Sequence, residues 1–295
     1  QAINDKRFKN PAWNDHPFFD FLRQSYGILS KTLLKAVDES DTLPPRARAK
    51  IQFFTRQLVD ALSPANNPLT NPDVLNEIAA TSGENIIKGL QNLITDLKEA
   101  QTTWMVSSAP KGAFEIGKDL ASTPGSVVFR NDMMELIQYT PSTETVHETP
   151  ILVIPPWINK YYILDLKAEN SYVKWMVDQG HTVFLISWRN PDASMRNVTF
   201  TDYMVDGICA AINEIEAITG VSQVNPIGYC IGGTLLSMTL AWLTATKQDS
   251  FVKRATFLTT LIDFRDAGDL CVFIDDEQID VITKGFLGQT VACAR

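Results

Sequence analysis

Apolar residues recur at three- and four-residue spacing through the first third of the chain, then in short continuous runs through the rest. Ala47, Ile51, Phe54, Leu58 and Ala61 follow Pro44-Pro45 at the spacing of one helical stripe, which predicts a helix with that stripe buried. Residues 63–72 are crowded with turn formers, and Asn71-Pro72-Asp73 predicts a helix start. A second helical pattern runs from Val74 to Ala100, with Leu75, Ile78, Ile86, Leu90 and Ile94 as core candidates and Gly83 as its weak point. Trp13, Phe18, Phe19 and Phe21 read as core aromatics. Residues 1–111 are therefore expected to form a helical domain with no catalytic constellation of its own.

After Pro110-Lys111-Gly112 the period changes. Val127–Phe129 and Met134–Tyr139 predict two strands joined by a tight turn at Asn131-Asp132. From Pro150 onward, apolar runs alternate with amphipathic stretches. Strands are predicted at 151–154, 182–188, 224–229 and 253–262. Helices are predicted at 168–179, ended by Gly180, at 201–219, ended by Gly220, and at 233–247. Val205, Ile208, Ile212 and Ile215 are the expected inward face of the second helix, and the third is apolar nearly all round, hence expected to be buried. Such alternation implies a mostly parallel sheet covered on both faces, with an antiparallel start. Residues 112–295 are the expected α/β domain.

The strand at 224–229 and the helix after it are joined by Gly228-Tyr229-Cys230-Ile231-Gly232-Gly233-Thr234. G-x-C-x-G has the glycine spacing of the G-x-S-x-G nucleophile turn of α/β-hydrolases, with sulfur in place of the hydroxyl. A nucleophile on a sharp strand-to-helix turn needs small flanking residues, and a helix N-terminus beneath it favours a thiolate. Cys230 is the predicted nucleophile. The expected oxyanion donors are the backbone N–H of Ile231 and that of Trp157, because Pro155 and Pro156 have none to offer. Tyr161, Tyr162 and Asp165 are expected to line the mouth, and Asp263 is a pocket candidate at the carboxyl end of the strand 253–262. Asp192 is a weaker one. Cys209 reads as packing, while Cys271 and Cys293 carry no motif.

A cysteine nucleophile needs a histidine base oriented by a carboxylate. All three histidines precede Cys230. His147 and His181 each stand just before a strand, at the edge of the sheet away from the nucleophile, and His16 belongs to the helical half. The chain is expected to be a fragment as far as catalysis goes. The missing initiator Met points to a processed or partial sequence.

Composition narrows the picture. A formal net charge of −8 argues against sequence-independent nucleic-acid binding. No run approaches the ~18 apolar residues of a membrane span, and the start has no signal-peptide pattern. The 4 cysteines are widely spaced, without a C-x-x-C pair or metal-ligand spacing, so reduced thiols, a cytoplasmic location and no metal or cofactor are expected.

Four blocks carry a family resemblance: Pro155-Pro156-Trp157-Ile158-Asn159-Lys160-Tyr161-Tyr162-Ile163-Leu164-Asp165-Leu166; Gly180–Phe184 with Ser187-Trp188-Arg189-Asn190-Pro191; Gly228–Thr234; and Leu258–Phe264. With them the chain resembles the polyhydroxyalkanoate synthases, most closely the single-subunit class I type. The resemblance implies an acyltransferase that polymerises (R)-3-hydroxyacyl-CoA and releases CoA at the surface of cytoplasmic storage granules. It implies coenzyme A thioester as substrate rather than cofactor, the growing polyester as a partner, and Cys230 as the catalytic cysteine. The family's catalytic Asp and His would lie beyond Arg295, and homodimerisation is left open. Two other readings stand beside it. One is a cysteine-dependent hydrolase of esters, lactones or thioesters. The other is a non-catalytic granule-docking or subunit-pairing module, supported by the lack of a usable histidine.

Overall fold

A computed structural model describes residues 5–40, 43–99, 109, 112–265 and 267–280. Its contacts divide into two compact units: Gln1–Pro110 with Gly268–Ile282, and Lys111–Ala267 with Thr283–Arg295.

The first unit is helical: α1 Pro17–Asp38, α2 Pro45–Ala61, α3 Pro72–Ala80 and α4 Glu84–Glu99. Local chemistry sets the starts. Pro17, Pro45 and Pro72 occupy first-turn positions, and the Asn71 side chain accepts the Asp73 N–H. The single helix predicted from Val74 is two, interrupted at Ser82 and Gly83, both with positive φ. Trp13 is fully buried, with Phe8 edge-on at 4.9 Å, as expected of a core aromatic. The buried stripes differ from expectation. Ile51, Phe54 and Leu58 on α2 are 41–57% exposed, while Val59 is buried and the Tyr26 hydroxyl donates to its carbonyl. Ile86, Leu90 and Ile94 on α4 are also exposed, as are Phe18 and Phe21 on α1. Spacing specifies a helix, but only the neighbours decide which side is covered. The described residues 268–280 cluster with the helical unit. Phe273 packs edge-on to Phe53 at 5.2 Å, and Asp275 pairs with Lys50 at 2.6 Å.

The second unit is built on a six-stranded sheet: β1 Gly125–Arg130, β2 Met134–Tyr139, β3 Ile151–Ile154, β4 Val183–Trp188, β5 Asn225–Tyr229 and β6 Thr256–Leu258, in the order β1-β2-β4-β3-β5-β6. The first two pairings are antiparallel and the other three parallel. Helices α5 Tyr172–Asp178, α6 Ala210–Thr219 and α7 Ile231–Ala245 cover it. Both faces are dry: Leu152, Ile154, Phe184 and Ile186 pack with Ile208, Ile215, Leu235 and Leu236, while Val153, Val183 and Leu185 pack with Val173, Met176 and Val177. The continuous apolar strands follow from this double cover.

Several boundaries move. α5 begins only at Tyr172, where the Ser171 hydroxyl caps the Lys174 N–H. Residues Tyr203–Cys209 form a π-helical stretch before α6, which rotates the register, so Val205 is exposed while Ile208, Ile212 and Ile215 are buried. α7 is buried on the side of Leu235, Leu236, Thr239 and Leu243, but Met238 and Trp242 reach solvent. β6 is much shorter than predicted, ending before the positive φ of Thr259.

The chain leaves β3 toward α5 on one face and β5 toward α7 on the other. The carboxyl ends of β3 and β5 therefore flank a topological switch point, where ligands bind in such sheets.

Candidate active site

Cys230 stands at that switch point. Its backbone is strained, with φ 55° and ψ −125°, a region costing about 1–3 kcal/mol for a residue with a Cβ. Three hydrogen bonds hold it there: its N–H donates to Leu258 O at 2.9 Å, and its carbonyl accepts from the Gly233 and Thr234 N–H groups. The glycine spacing has a steric cause. A Cβ on Gly228 would overlap Gly233, one on Gly232 would overlap the carbonyls of Ile154 and Pro155, and one on Gly233 would overlap Thr260. The thiol is exposed. By contrast, Cys209 is half-buried in the π-helical stretch, where burial pushes its thiol up. Cys271 belongs to the helical unit, and Cys293 lies outside the described residues.

The register Ile154↔Gly228 sets the loop after β3 beside the turn after β5. Ile231 is the first residue of α7, so its N–H has no acceptor within the helix. Trp157 is half-buried, its ring stacked on Tyr203 at 4.5 Å and edge-on to Phe200 at 5.5 Å. The Trp188 indole N–H donates to Pro155 O at 2.7 Å in a buried contact. Sequence reasoning did not assign Trp188 a role. The available signal was a Trp ending a buried strand, whose N–H needs a partner.

Tyr161 and Tyr162 lie edge-on at 5.3 Å in a short turn after that loop. Tyr161 packs against the cluster around Tyr139 and Val153, where burial and then the Asp165 charge push its phenol up. Asp165 does not line the mouth. It is fully buried, its Oδ1 accepting the Thr123 and Ser171 hydroxyls at 2.6 Å each and its carbonyl accepting the Ala121 N–H. It ties the end of the loop to α5 and to the segment before β1. Asp165→Ala leaves two buried hydroxyls without their acceptor. A loss of about 2–5 kcal/mol is expected, read from urea unfolding midpoints of the full-length protein, with Ser171→Ala costing less.

Asp263 is exposed five residues beyond the end of β6, rather than at a strand end. Its carboxylate is engaged by the Arg265 guanidinium, which holds it below the usual carboxylate range. Its segment is tied to the start of α7 by the Thr234 hydroxyl, which donates to Leu261 O at 2.7 Å. Asp192 is held at about 2 by Ser194 and Arg189.

The histidines lie where their sequence positions imply. His16 accepts the Phe18 N–H at the start of α1. His147 and His181 lie with tilted rings 4.6 Å apart beside Asn225, the first residue of β5. Five residues of strand, about 16 Å, separate that edge from Cys230. Burial, then repulsion from His147, lowers the His181 pKa, and Glu148, Lys253 and Arg254 share the same cleft. The unfolded chain therefore takes up this proton at higher pH than the folded one. The His181 contribution is present above the ordinary histidine value near 6.5 and is lost as pH falls through the lowered folded value. His181→Gln is expected to flatten the drop in unfolding midpoint between pH 7.5 and 5; parallel profiles would refute it. Among the described residues, no cluster of His, Cys, Asp or Glu has the makings of a metal site, and no helix is long and apolar enough to cross a membrane.

A doubly covered sheet of this order, with a strained cysteine on the turn after β5, defines an α/β-hydrolase fold, and residues 156–277 match the model of that fold. Residues 4–176 match the N-terminal model of the poly-beta-hydroxybutyrate polymerases (PhaC), and the chain belongs to that family. It is 47% identical over 280 residues to the poly(3-hydroxyalkanoate) polymerase of Methylorubrum extorquens, covering 95% of this chain and 46% of the relative. It is 41% identical to the PhaC polymerase subunit of Cupriavidus necator, again over 95% of this chain and 46% of the relative. The chain thus spans about half the length of the curated relatives it matches. Among solved structures, a probable hydrolytic enzyme of Pseudomonas aeruginosa aligns at a TM-score of 0.35 and 13% identity, over 48% of this chain and 42% of its own.

Proposed function

We propose that the chain belongs to a polymerase that joins (R)-3-hydroxyacyl units from coenzyme A thioesters into polyester, with Cys230 as the acyl acceptor. The observation that carries this is an exposed cysteine, held in a strained turn at a helix N-terminus, in a chain of the PhaC family. Sγ of Cys230 attacks the thioester carbonyl, the oxyanion is met by the N–H groups of Ile231 and Trp157, and CoA leaves as its thiol with the proton given up by Cys230. One thioester replaces another, so little driving force is lost. The hydroxyl of a second unit then attacks the acyl-cysteine, forming the ester and returning the proton to sulfur. Within this unit His147 and His181 stand at the far end of β5 from Cys230 and do not serve as its proton acceptor in this reading. Tyr161, Tyr162 and Asp263 are the pocket candidates on the loops that follow β3 and β6.

The site of action in this reading is the cytoplasmic surface of the polymer granule. The apolar side chains left exposed on α2 and α4 support it, including Ile51, Phe54, Leu58, Ile86 and Leu90. Self-association as a homodimer is a further proposal, tested by sedimentation of the full-length protein.

Full-length protein given (R)-3-hydroxybutyryl-CoA should release CoA and yield polymer recoverable by methanolysis. Free hydroxy acid without polymer would favour hydrolysis and sink the proposal. No CoA release at all would favour a non-catalytic module.

A further inference from the structure

We propose that Trp188 is a positioning residue for the oxyanion donors, with Gly207 as the seat that admits its ring; this rests on Cys230 being the acyl acceptor. Pro155 and Pro156 have no N–H, so the chain leaving β3 gives up ladder bonds just before the predicted donor, Trp157. The loop is held by other means. On one side the Trp188 indole N–H donates to Pro155 O at 2.7 Å, from the last residue of β4. On the other side the same carbonyl, with Ile154 O, abuts Gly232, two residues beyond Cys230. Pro155 O is thus clamped between the indole and the first turn of α7. That contact sets the N–H of Trp157 relative to that of Ile231.

The indole is itself fixed. A Cβ on Gly207 would come within 2.5 Å of Trp188 Cη2 and 2.6 Å of Cζ3. Tyr203, on the same π-helical stretch, lies edge-on to Trp188 at 5.2 Å and stacks on the Trp157 ring at 4.5 Å. The three rings and Gly207 form one packed unit around the donor loop.

The test uses full-length protein and (R)-3-hydroxybutyryl-CoA. Three quantities are read: the single-turnover rate of Cys230 acylation by mass, the rate of Cys230 alkylation by iodoacetamide, and the unfolding temperature. Trp188→Phe removes the N–H together with the ring atoms that face Gly207. Combining it with Gly207→Ala places a methyl where those atoms were and restores packing without the hydrogen bond. Acylation is expected to fall about 10- to 100-fold in both variants at saturating substrate, with half-saturation unchanged. Alkylation, which uses no oxyanion donor, should stay within about twofold, and the double variant should regain the unfolding temperature that the single one loses. Acylation recovering together with stability would overturn the proposal, as would a rise in half-saturation with an unchanged maximal rate. Wild-type protein that never acylates Cys230 would overturn the acyl-acceptor reading and this inference with it, before any variant is compared.

Discussion

Cys230→Ala in the full-length protein is expected to reduce polymer formation by at least about a thousandfold, with the fold intact. Alanine keeps a Cβ at φ 55°, so backbone strain is unchanged and only the sulfur is lost. Cys230→Ser should also lose most of its activity. Its hydroxyl needs a stronger base, and its acyl ester is a poorer donor to the next hydroxyl than a thioester is. Cys230→Gly separates strain from chemistry. It removes the Cβ that the left-handed backbone disfavours, so stability should rise by about 1 kcal/mol while activity disappears. CoA release and unfolding midpoints on the same samples check both outcomes. Activity surviving in the alanine variant would remove Cys230 from the mechanism.

The second large effect is expected at Gly232. A methyl there meets the carbonyls of Ile154 and Pro155, which belong to the most buried strand and its outgoing loop. Neither is the end of a flexible side chain, so β3 and α7 must move apart. Gly232→Ala should cost at least about 3 kcal/mol, and acyl transfer should fall further than stability alone explains, because the proposed donors at Trp157 and Ile231 separate. Gly89→Ala is the matching control. It lies in α4 with open space around it, and the substitution should stabilise by about 0.5–1 kcal/mol through helix propensity. If both substitutions behaved alike, the close approach at Gly232 would carry no weight.

The strained turn at Cys230 was legible because its requirements are local. A strand, a sharp turn and a helix must be adjacent in the chain, and close approach forces glycine at fixed offsets from Cys230, which spacing records directly. The placement of His147 and His181 was legible for the same reason, since each immediately precedes a strand or the loop that leads into one. The burial of Asp165 is not legible in the sequence. Its acceptor role depends on Thr123, 42 residues earlier, and no local pattern records such a pairing. The Trp188 contact is beyond local pattern on similar grounds, as its partner is 33 residues away. The strand expected at 253–262 pairs only at Thr256–Leu258 before Thr259 turns it away.

By itself, then, the amino-acid order determined the element types, the parallel core and the identity of the elbow cysteine, because periodicity and short-range sterics act along the chain. Tertiary structure alone decided which helix faces are covered, where the strands stop pairing, and which side chains hold the loop after β3 in place. Burial and long-range hydrogen bonds depend on neighbours brought together only by folding. The apolar stripe on α2 is the clearest instance: its spacing made a helix, and packing around Val59 left Ile51, Phe54 and Leu58 facing out.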